Sequence, residues 1–352
     1  MPYVLPHKYR FGHEYSIFLH DLIVGSYKAA AEANVFSVHF DLSADELASF
    51  ENIQDGEAYD WVEQHKGVSV SKRMDYVGLL NALIADFCPF VLESLRASAK
   101  GKLTVAYALL RKPMKDNLLF LEWLLADPAD FIERFRAGPE FIEPGRVSRE
   151  RRIEIIAGAL AASEFPGMDA EFLYDLRYNR RKPYGLASTW DHAVHLVTLF
   201  EHIRTEERNL NFVFSGPAQW HSQWSGIYDI VPILLTHSSS VVDKLIDSVA
   251  EVDQDYRFMK GLRRSIGFIL WSGASSHGRR ENALSQIQAV LADLEPVCDS
   301  CNTALVWNFR HSRNFAIKGM TRCPACKELV SLDTTDVVGV SAQSGNGHPS
   351  DN

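Results

Sequence analysis

The 352-residue sequence lacks the short motifs that mark the commonest nucleotide-dependent and hydrolytic enzymes. It contains no G-x-x-x-x-G-K-[ST] phosphate loop, no G-x-G-x-x-G after a strand pattern and no G-x-S-x-G nucleophile turn. Each of these motifs holds backbone amides or a nucleophile in a fixed turn. Their absence removes the usual support for a nucleotide-driven protein or a serine hydrolase.

Long apolar runs and a leader segment are also missing. The chain is 46% hydrophobic and 11% aromatic, so it can bury a core, yet no stretch approaches about 18 uncharged apolar residues. The opening Met-Pro-Tyr-Val-Leu-Pro-His-Lys has no apolar segment of the kind that a signal peptide carries. We therefore expect a soluble, cytoplasmic protein without a membrane-spanning helix.

Positive charge is scarce for a nucleic-acid-binding protein. The sequence has 36 Lys and Arg residues against 45 Asp and Glu residues, which gives a formal net charge of −9. An acidic surface repels phosphates over most of its area, so the composition leaves room only for a local basic patch.

Cysteine is rare as well, and four of the five cysteines stand in two pairs. Cys298 and Cys301 form one C-x-x-C motif, and Cys323 and Cys326 form a second one 21 residues later. Four thiolates are the complement of a tetrahedral structural Zn²⁺ site, and such a closed shell leaves no position for a catalytic water. Two disulfides are the alternative, but they require an oxidising compartment. The fifth cysteine, Cys88, lies in an apolar run and is expected to be a buried thiol.

The segment around the two motifs resembles the zinc ribbons. Pro324 shapes the second turn, and the apolar residues 304–307 after the first pair predict a short strand. The resemblance covers residues 296–332 only, about a tenth of the chain. It implies a small zinc-held module and no particular activity.

Helical periodicity dominates the rest of the chain, and we predict a mainly α fold: a multi-helix body with a small C-terminal zinc ribbon. The Pro- and Gly-containing residues between 140 and 148 divide the body into helical regions at 1–140 and 148–295, which can also form one unit. The ribbon follows at 296–332. A tail at 333–352, rich in Ser, Gly, Asn and Asp, is expected to be disordered.

Several helices have clear signals at their ends or along their length. The sequence Ser43-Ala-Asp-Glu46 is a capping box, and Asp127-Pro128 is a second helix start. The strongest helical pattern covers residues 103–126, with Pro113 inside it. A further helix is predicted from residue 188 to about residue 204.

That last helix carries the densest histidine cluster and supplies a candidate catalytic site. At 100° per residue Asp191, His195 and His202 fall on one face, where a carboxylate and two imidazoles can act as general base or bind a metal. Arg181 or Arg264 would then balance an anionic substrate. His195 and His202 are nevertheless two turns apart, about 10 Å, so one ion cannot bind both directly. A polar stripe at a helix–helix contact is the favoured interpretation.

The loop between the cysteine pairs is the leading candidate surface. Residues 296–330 carry five cations against Asp299 and Glu328, a net charge of +3, which leaves −12 on the remainder of the chain. Aromatic residues interleave with these cations, as they do on surfaces that stack on bases. The residues proposed to bind nucleic acid are Trp307, Arg310, Arg313, Lys318 and Arg322, with Phe309 and Phe315 as further stacking platforms.

Three functional hypotheses follow from these patterns. The leading one is a zinc-binding helical protein that associates with nucleic acid through the basic loop, which then protrudes into solvent. If the loop instead folds back on the acidic body, the module is a clasp, and the protein is an interaction scaffold with a structural zinc and a protein partner. The third is a hydrolase or nuclease that uses Asp191, His195 and His202.

Overall fold

The structure is a computed structural model that describes residues 4–54, 57–163, 167–211, 217–274, 280–292, 296–332 and 340–342. Most of these residues are helical and few are in strands, which confirms the prediction of a mainly α fold. The helices are α1 (His7–Glu32), α2 (Ala44–Glu51), α3 (Ala58–Lys66), α4 (Val68–Ala99), α5 (Leu103–Lys112), α6 (Leu118–Ala126), α7 (Pro128–Ala137), α8 (Pro139–Ile142), α9 (Arg149–Ser163), α10 (Ala170–Tyr178), α11 (Ala187–Val194), α12 (Pro217–Tyr228), α13 (Val231–Asp247), α14 (Gln254–Ala274), α15 (Arg280–Ala292) and α16 (Phe309–Lys318).

Four short strands and three short non-α turns complete the described structure. Strands β1 (Ala250–Val252) and β4 (Val340–Ala342) pair antiparallel, and so do β2 (Met320–Arg322) and β3 (Leu329–Ser331). A π-turn, Pro113–Asn117, joins α5 to α6. The two other turns are 3₁₀ turns at Pro144–Arg146 and Glu201–Ile203.

The predicted helix starts are confirmed at α2 and α7. The Ser43 hydroxyl accepts a hydrogen bond from the Glu46 amide, and the Glu46 carboxylate accepts one from the Ser43 amide at 2.8 Å. The Asp127 carboxylate accepts one from the Asp130 amide at 3.2 Å, with Pro128 in the first turn of α7. Side-chain oxygens therefore satisfy amides that have no partner within the helix.

Helix α13 lies at the centre of the body and contacts α1, α6, α9 and α14. Its apolar side chains except that of Ile233 are buried, and so are Thr236, Ser238 and Ser240. Each of these three hydroxyls donates to the carbonyl four residues earlier, at 2.7 to 3.1 Å, so each is satisfied inside its own helix. One apolar core extends from Leu5 to Ala250 and takes side chains from both predicted helical regions.

Helix α4 is long and apolar enough, by length and composition alone, to cross a membrane, and 39% of its most apolar stretch is buried inside the protein. A core helix of a soluble protein meets the same two criteria, so this observation is weak evidence for a membrane span. Charged side chains such as Asp75, Asp86 and Arg96 lie along the helix.

The predicted helix over 103–126 is interrupted by the π-turn. Pro113 has no amide hydrogen to donate, and the Leu118 amide donates to the Pro113 carbonyl, five residues back. Side chains from α10 reach the widened turn: Arg177 Nε donates to the Met114 carbonyl at 2.7 Å, and the Tyr178 hydroxyl donates to the Lys115 carbonyl at 2.6 Å.

The prediction of one helix from residue 188 to about 204 is wrong. Helix α11 ends at Val194, and His195 is extended. The chain then forms a loop in which the Thr205 amide donates to the Thr198 carbonyl at 2.9 Å and the Asn211 amide donates to the Leu196 carbonyl at 2.8 Å. These cross-loop bonds replace the helical ones, because β-branched and Asn side chains support turns better than helix interiors.

The C-terminal module packs on the body through α16, which contacts α14. Phe315 and Ala316 of α16 are buried against Leu262 and Ile266 of α14. Arg263 Nε donates to the Ala316 carbonyl at 3.2 Å. The loop between the cysteine pairs therefore folds back as a helix and does not protrude.

Two smaller predictions about the C-terminal part need correction. Within residues 304–307 only Ala304 bridges to Val297, so the described chain has no strand there. Most of the predicted disordered tail lies outside the described residues, but 340–342 form β4, in register with β1 and with Val340 packed against the core. Pairing with β1 satisfies the backbone groups of both strands.

Candidate metal centre and basic groove

The first C-x-x-C motif forms a tight turn with a left-handed residue after it. The Asn302 amide donates to the Cys298 carbonyl at 2.7 Å, and the Cys298 amide donates to the Thr303 carbonyl at 2.9 Å. Asn302 has φ 54°, a conformation that asparagine tolerates better than most residues. The turn brings Cys301 to the same side as Cys298.

The second motif repeats this geometry. The Lys327 amide donates to the Cys323 carbonyl at 3.2 Å, and the Cys323 amide donates to the Glu328 carbonyl at 2.9 Å. Lys327 has φ 69° at the position that corresponds to Asn302. Two turns of the same form thus present two cysteines each.

The four sulfurs meet at one point. All four Sγ atoms lie within 4.8 Å of one another. Cys298 and Cys326 Sγ are 3.6 Å apart, and Cys301 and Cys323 Sγ are 3.5 Å apart. A tetrahedral ion with metal–sulfur bonds of about 2.3 Å separates its sulfurs by about 3.8 Å, so the arrangement fits a single metal ion.

The electrostatics of the cluster call for a cation. The Thr303 hydroxyl and then its amide lower the pKa of Cys301 to about 6. The pKa of Cys326 is raised to about 12: the Glu328 amide lowers it, but burial and the neighbouring thiols raise it more. All four groups can be thiolates together only when a cation offsets their mutual repulsion. The cluster is a metal-binding site.

The aromatic side chains of the module form its interior. Phe315 is 1% exposed, and Trp307 packs on it edge to face with 5.5 Å between ring centroids. Phe309 lies half-buried against Phe11 of α1, and the guanidinium of Arg280 lies 4.1 Å above its ring. None of the three rings presents two free faces to solvent.

A groove of about 730 Å³ runs between α1, the start of α15 and α16. Among the described residues that line it, Glu14 is the one carboxylate, and it forms an ion pair with Arg313. No carboxylate of the described chain pairs with the other cations of the groove. These other cations are exposed, although Arg280 also covers one face of the Phe309 ring. The lining cations are Lys8, Arg10, Arg280, Arg310, Arg313 and Lys318.

The groove contains only part of the predicted nucleic-acid-binding set. Arg310, Arg313 and Lys318 line it, whereas Trp307 lies in the module interior. Arg322 is on β2, where its guanidinium donates to the Lys327 carbonyl at 3.0 Å. The predicted platforms Trp307 and Phe315 are therefore placed where they stabilise the module.

The predicted catalytic residues are not brought together as one helical face. Asp191 is buried and accepts a hydrogen bond from Arg180 Nε at 2.5 Å. His195 is exposed beyond the end of α11, and the side chain of His202 lies outside the described residues. Arg264 pairs with Asp243 at 2.6 Å, and Arg181 is exposed.

Sequence reasoning did not connect the basic residues at the start of α1 and of α15 with the loop between the cysteine pairs. His7, Lys8 and Arg10 form a basic run that marks one side of α1, which was a readable signal. Nothing in the sequence connects this run with α16, about 300 residues later. Their proximity comes from tertiary packing alone.

A buried charged network in the body was missed as well. Glu122 of α6 accepts two hydrogen bonds from Arg177 Nη1, at 2.6 and 2.7 Å, and lies 2.8 Å from His237 Nε2. All three side chains are 0% exposed. These side chains come from α6, α10 and α13. The local signal in the sequence was Glu122 itself, a charged residue within an otherwise apolar helix.

Comparisons of this chain with protein-family models, with curated proteins and with solved structures find no match.

Proposed function

We propose that this protein is a zinc-stabilised, helical nucleic-acid-binding protein, whose groove between α1, α15 and α16 contacts the phosphate backbone. The observation that supports the proposal is the concentration of six cations around one carboxylate in a chain whose net charge is −9. A local excess of this size on an acidic protein attracts polyanions to a single place.

Zinc is the metal we assign to the four cysteines. Soft thiolate ligands in a tetrahedral set suit zinc or an iron–sulfur centre, and four Sγ atoms within 4.8 Å of one another leave space for one ion rather than a cluster, which suits zinc. The role is structural, because four protein ligands leave no open coordination position. The ion fixes both ends of the segment that carries α16, and thereby one wall of the groove.

Contact with the backbone, rather than with bases, follows from the rings in and near the groove. Phe309 is covered by Arg280 on one face and contacts Phe11, so it offers no free platform to a base. The cations, in contrast, are exposed: Arg310 and Lys318 have no ion-pair partner among the described side chains. We expect binding that depends strongly on salt and weakly on sequence.

The test is fluorescence anisotropy with single-stranded and duplex oligonucleotides over a salt series, using the full chain with its metal. A triple variant, Arg10→Gln, Arg310→Gln and Lys318→Gln, removes three groove cations. We expect the slope of log affinity against log salt to fall by about 2 to 3, since each lost phosphate contact reduces it by about 0.7 to 0.9.

The matched control is Lys28→Gln, Lys72→Gln and Lys102→Gln, three exposed lysines that do not line the groove. It changes the net charge equally and is expected to leave the slope unchanged. Equal losses in the two triple variants would mean that total charge, not the groove, controls binding. If the wild type fails to bind any oligonucleotide at about 50 mM salt, the proposal is wrong, and a partner protein at this groove becomes the hypothesis to pursue.

A further inference from the structure

The π-turn lies beneath a second group of cations, separate from the groove. Lys115 and Asp116 belong to the turn itself, and Arg111 lies one helical turn before Lys115 on α5. Arg152 comes from α9, where its guanidinium stacks 4.6 Å above the ring of Tyr178. π-turns inside helices are rare and occur frequently at functional sites.

Two of these arginines have buried nitrogens without partners. Within the part of the chain that the structure describes, the Nε atoms of Arg111 and Arg152 are buried and make no hydrogen bond. A buried N–H of a charged group without an acceptor destabilises the folded protein, and a ligand that supplies an acceptor removes that cost. As whole residues both arginines are half-buried, and Arg152 Nη2 already donates to the Pro144 carbonyl, so the other Nη groups are the ones that a ligand would contact.

The carboxylates near the π-turn are already engaged or too few. Asp191 is bound by Arg180, and Glu122 is bound by Arg177. Asp116 interacts electrostatically with both Arg111 and Arg152.

The charges near the turn do not cancel. The three carboxylates Asp116, Glu122 and Asp191 oppose five cations, so two positive charges remain. The cations are Arg111, Lys115, Arg152, Arg177 and Arg180.

The titration behaviour of the turn agrees with this excess. Burial lowers the pKa of Lys115, and neighbouring Arg111 lowers it further. Burial also raises the pKa of Asp116, even though Lys115, Arg111 and two other arginines oppose that rise. Burial is the largest cause of both shifts, and the smaller contribution from neighbouring charges is the part that reflects the local excess of cations.

We propose that the π-turn forms a binding site for the phosphate group of a small ligand, held by Arg111, Lys115 and Arg152. A phosphate carries a charge of about −1.5 to −2 at neutral pH, which matches the two uncompensated positive charges. Its oxygens accept from the Nε–H and Nη–H groups of a guanidinium in the paired geometry that favours Arg. A carboxylate carries only one negative charge and leaves the second positive charge unbalanced.

The test is titration calorimetry and thermal unfolding of the full, metal-loaded chain with inorganic phosphate, acetate and chloride at equal ionic strength. We expect phosphate to bind and to raise the melting temperature, with no comparable rise in acetate or chloride. A response to acetate equal to that to phosphate would overturn the assignment, as would a phosphate response no larger than that to chloride.

Arg111→Gln is the diagnostic variant, and Lys112→Gln is its control. The two residues are neighbours on α5, but Lys112 is exposed and pairs with Asp86 at 2.7 Å. Arg111→Gln is expected to weaken phosphate binding by about tenfold or more, whereas the control stays within about twofold of the wild type. If both variants lost the same phosphate affinity, the assignment of the site to Arg111 would be wrong.

Two further measurements keep the proposal open to refutation. Without phosphate, Arg111→Gln is expected to melt no lower than the wild type, because it removes a buried Nε–H that has no acceptor among the described residues; a clearly lower melting temperature would show that Arg111 is a structural residue instead. Lys115→Gln, a half-buried position, is a second variant with the same expected loss of affinity, should the first fold poorly. Arg111→Gln is also expected to leave oligonucleotide binding unchanged; its loss would make the cluster part of the nucleic-acid surface and overturn a separate site.

Discussion

The buried network of Glu122, Arg177 and His237 provides the sharpest test of the fold. The proposed change is Arg177→Met, which keeps much of the side-chain length and removes the charge. The variant leaves the Glu122 carboxylate at 0% exposure with His237 as its remaining partner. It also leaves the Met114 carbonyl in the π-turn without the bond that Arg177 Nε donates at 2.7 Å.

The magnitude follows from these losses. Removing one partner of a buried ion pair costs about 3–5 kcal/mol, because an uncompensated charge remains in the interior. This is a large fraction of the roughly 5–15 kcal/mol that stabilises a folded domain. We therefore expect the free energy of unfolding, measured by urea titration with circular dichroism, to fall by about 3–5 kcal/mol.

A double variant separates the charge from the packing. Glu122→Gln removes the negative charge while it keeps the shape, so Arg177→Met together with Glu122→Gln contains no unpaired buried charge. The double variant is expected to be more stable than the sum of the two single losses predicts, by about 2 kcal/mol or more. Simple additivity would show that packing, not charge, accounts for the loss.

The pH dependence gives an independent check. Burial raises the pKa of Glu122, but Arg177 and His237 outweigh it, and the pKa lies below its usual value of 4.5. A lowered folded-state pKa stabilises the protein above the usual pKa, and this stabilisation is lost as the pH falls below it. Without Arg177, burial instead favours the protonated carboxyl. The difference in stability between wild type and Arg177→Met is therefore expected to shrink from pH 8 to pH 5. A difference that stays constant with pH, or that is below about 1 kcal/mol at pH 7, would refute the reasoning.

Two further outcomes are expected. Elemental analysis is expected to give about one zinc per chain, and replacing Cys323 and Cys326 by Ser should abolish it; full zinc in the double Ser variant would contradict the site. Chelation of the wild type should unfold residues 296–332 while most of the helical circular dichroism persists. On α14, a Cβ at Gly261 meets nothing within 4 Å, whereas one at Gly267 comes within 2.8 Å of the buried Tyr15 ring. In urea unfolding, Gly261→Ala should therefore stabilise the protein by about 0.4–1 kcal/mol, and Gly267→Ala should destabilise it by about 1–3 kcal/mol. If Gly267→Ala were the more stable of the two variants, the Tyr15 ring would have room to move.

Local signals in the sequence predicted local structure well. The Ser43–Glu46 capping box and the Asp127-Pro128 start are contained within four residues, and both hold in the structure. The two C-x-x-C motifs likewise predicted where four thiols meet, since each turn is defined by its own few residues. Such features need no information from distant parts of the chain.

The errors arose where distant residues decide the outcome. Residues 195–204 have apolar spacing compatible with a helix, but bonds between Thr198 and Thr205 and between Leu196 and Asn211 are made instead. The histidine face predicted on that helix was lost with it. Periodicity cannot register a competing set of hydrogen bonds that closes a loop.

The candidate surfaces show the same limit. Arg310 and Lys318 were identified from charge in the module, but the groove exists only because α1 and α15 supply its other walls. Residues 308–322 fold back rather than protrude because Phe315 packs against Leu262 and Ile266 of α14. That contact joins positions some 50 residues apart, and neither segment alone predicts it.

The pairing of β4 with β1 changes how the metal module is tied to the body. Residues 250–252 and 340–342 meet side by side, so the module is a loop with both of its ends anchored rather than a free terminal appendage. A tethered segment sees its docking surface at an effective concentration on the order of millimolar for a short connection. Loss of the ion would therefore undo the module without releasing α16 from the neighbourhood of α14. Once a metal ion is bound again, refolding of the module is an intramolecular step whose rate does not depend on protein concentration, so the groove would be lost and restored on the same molecule as the metal is withdrawn and returned.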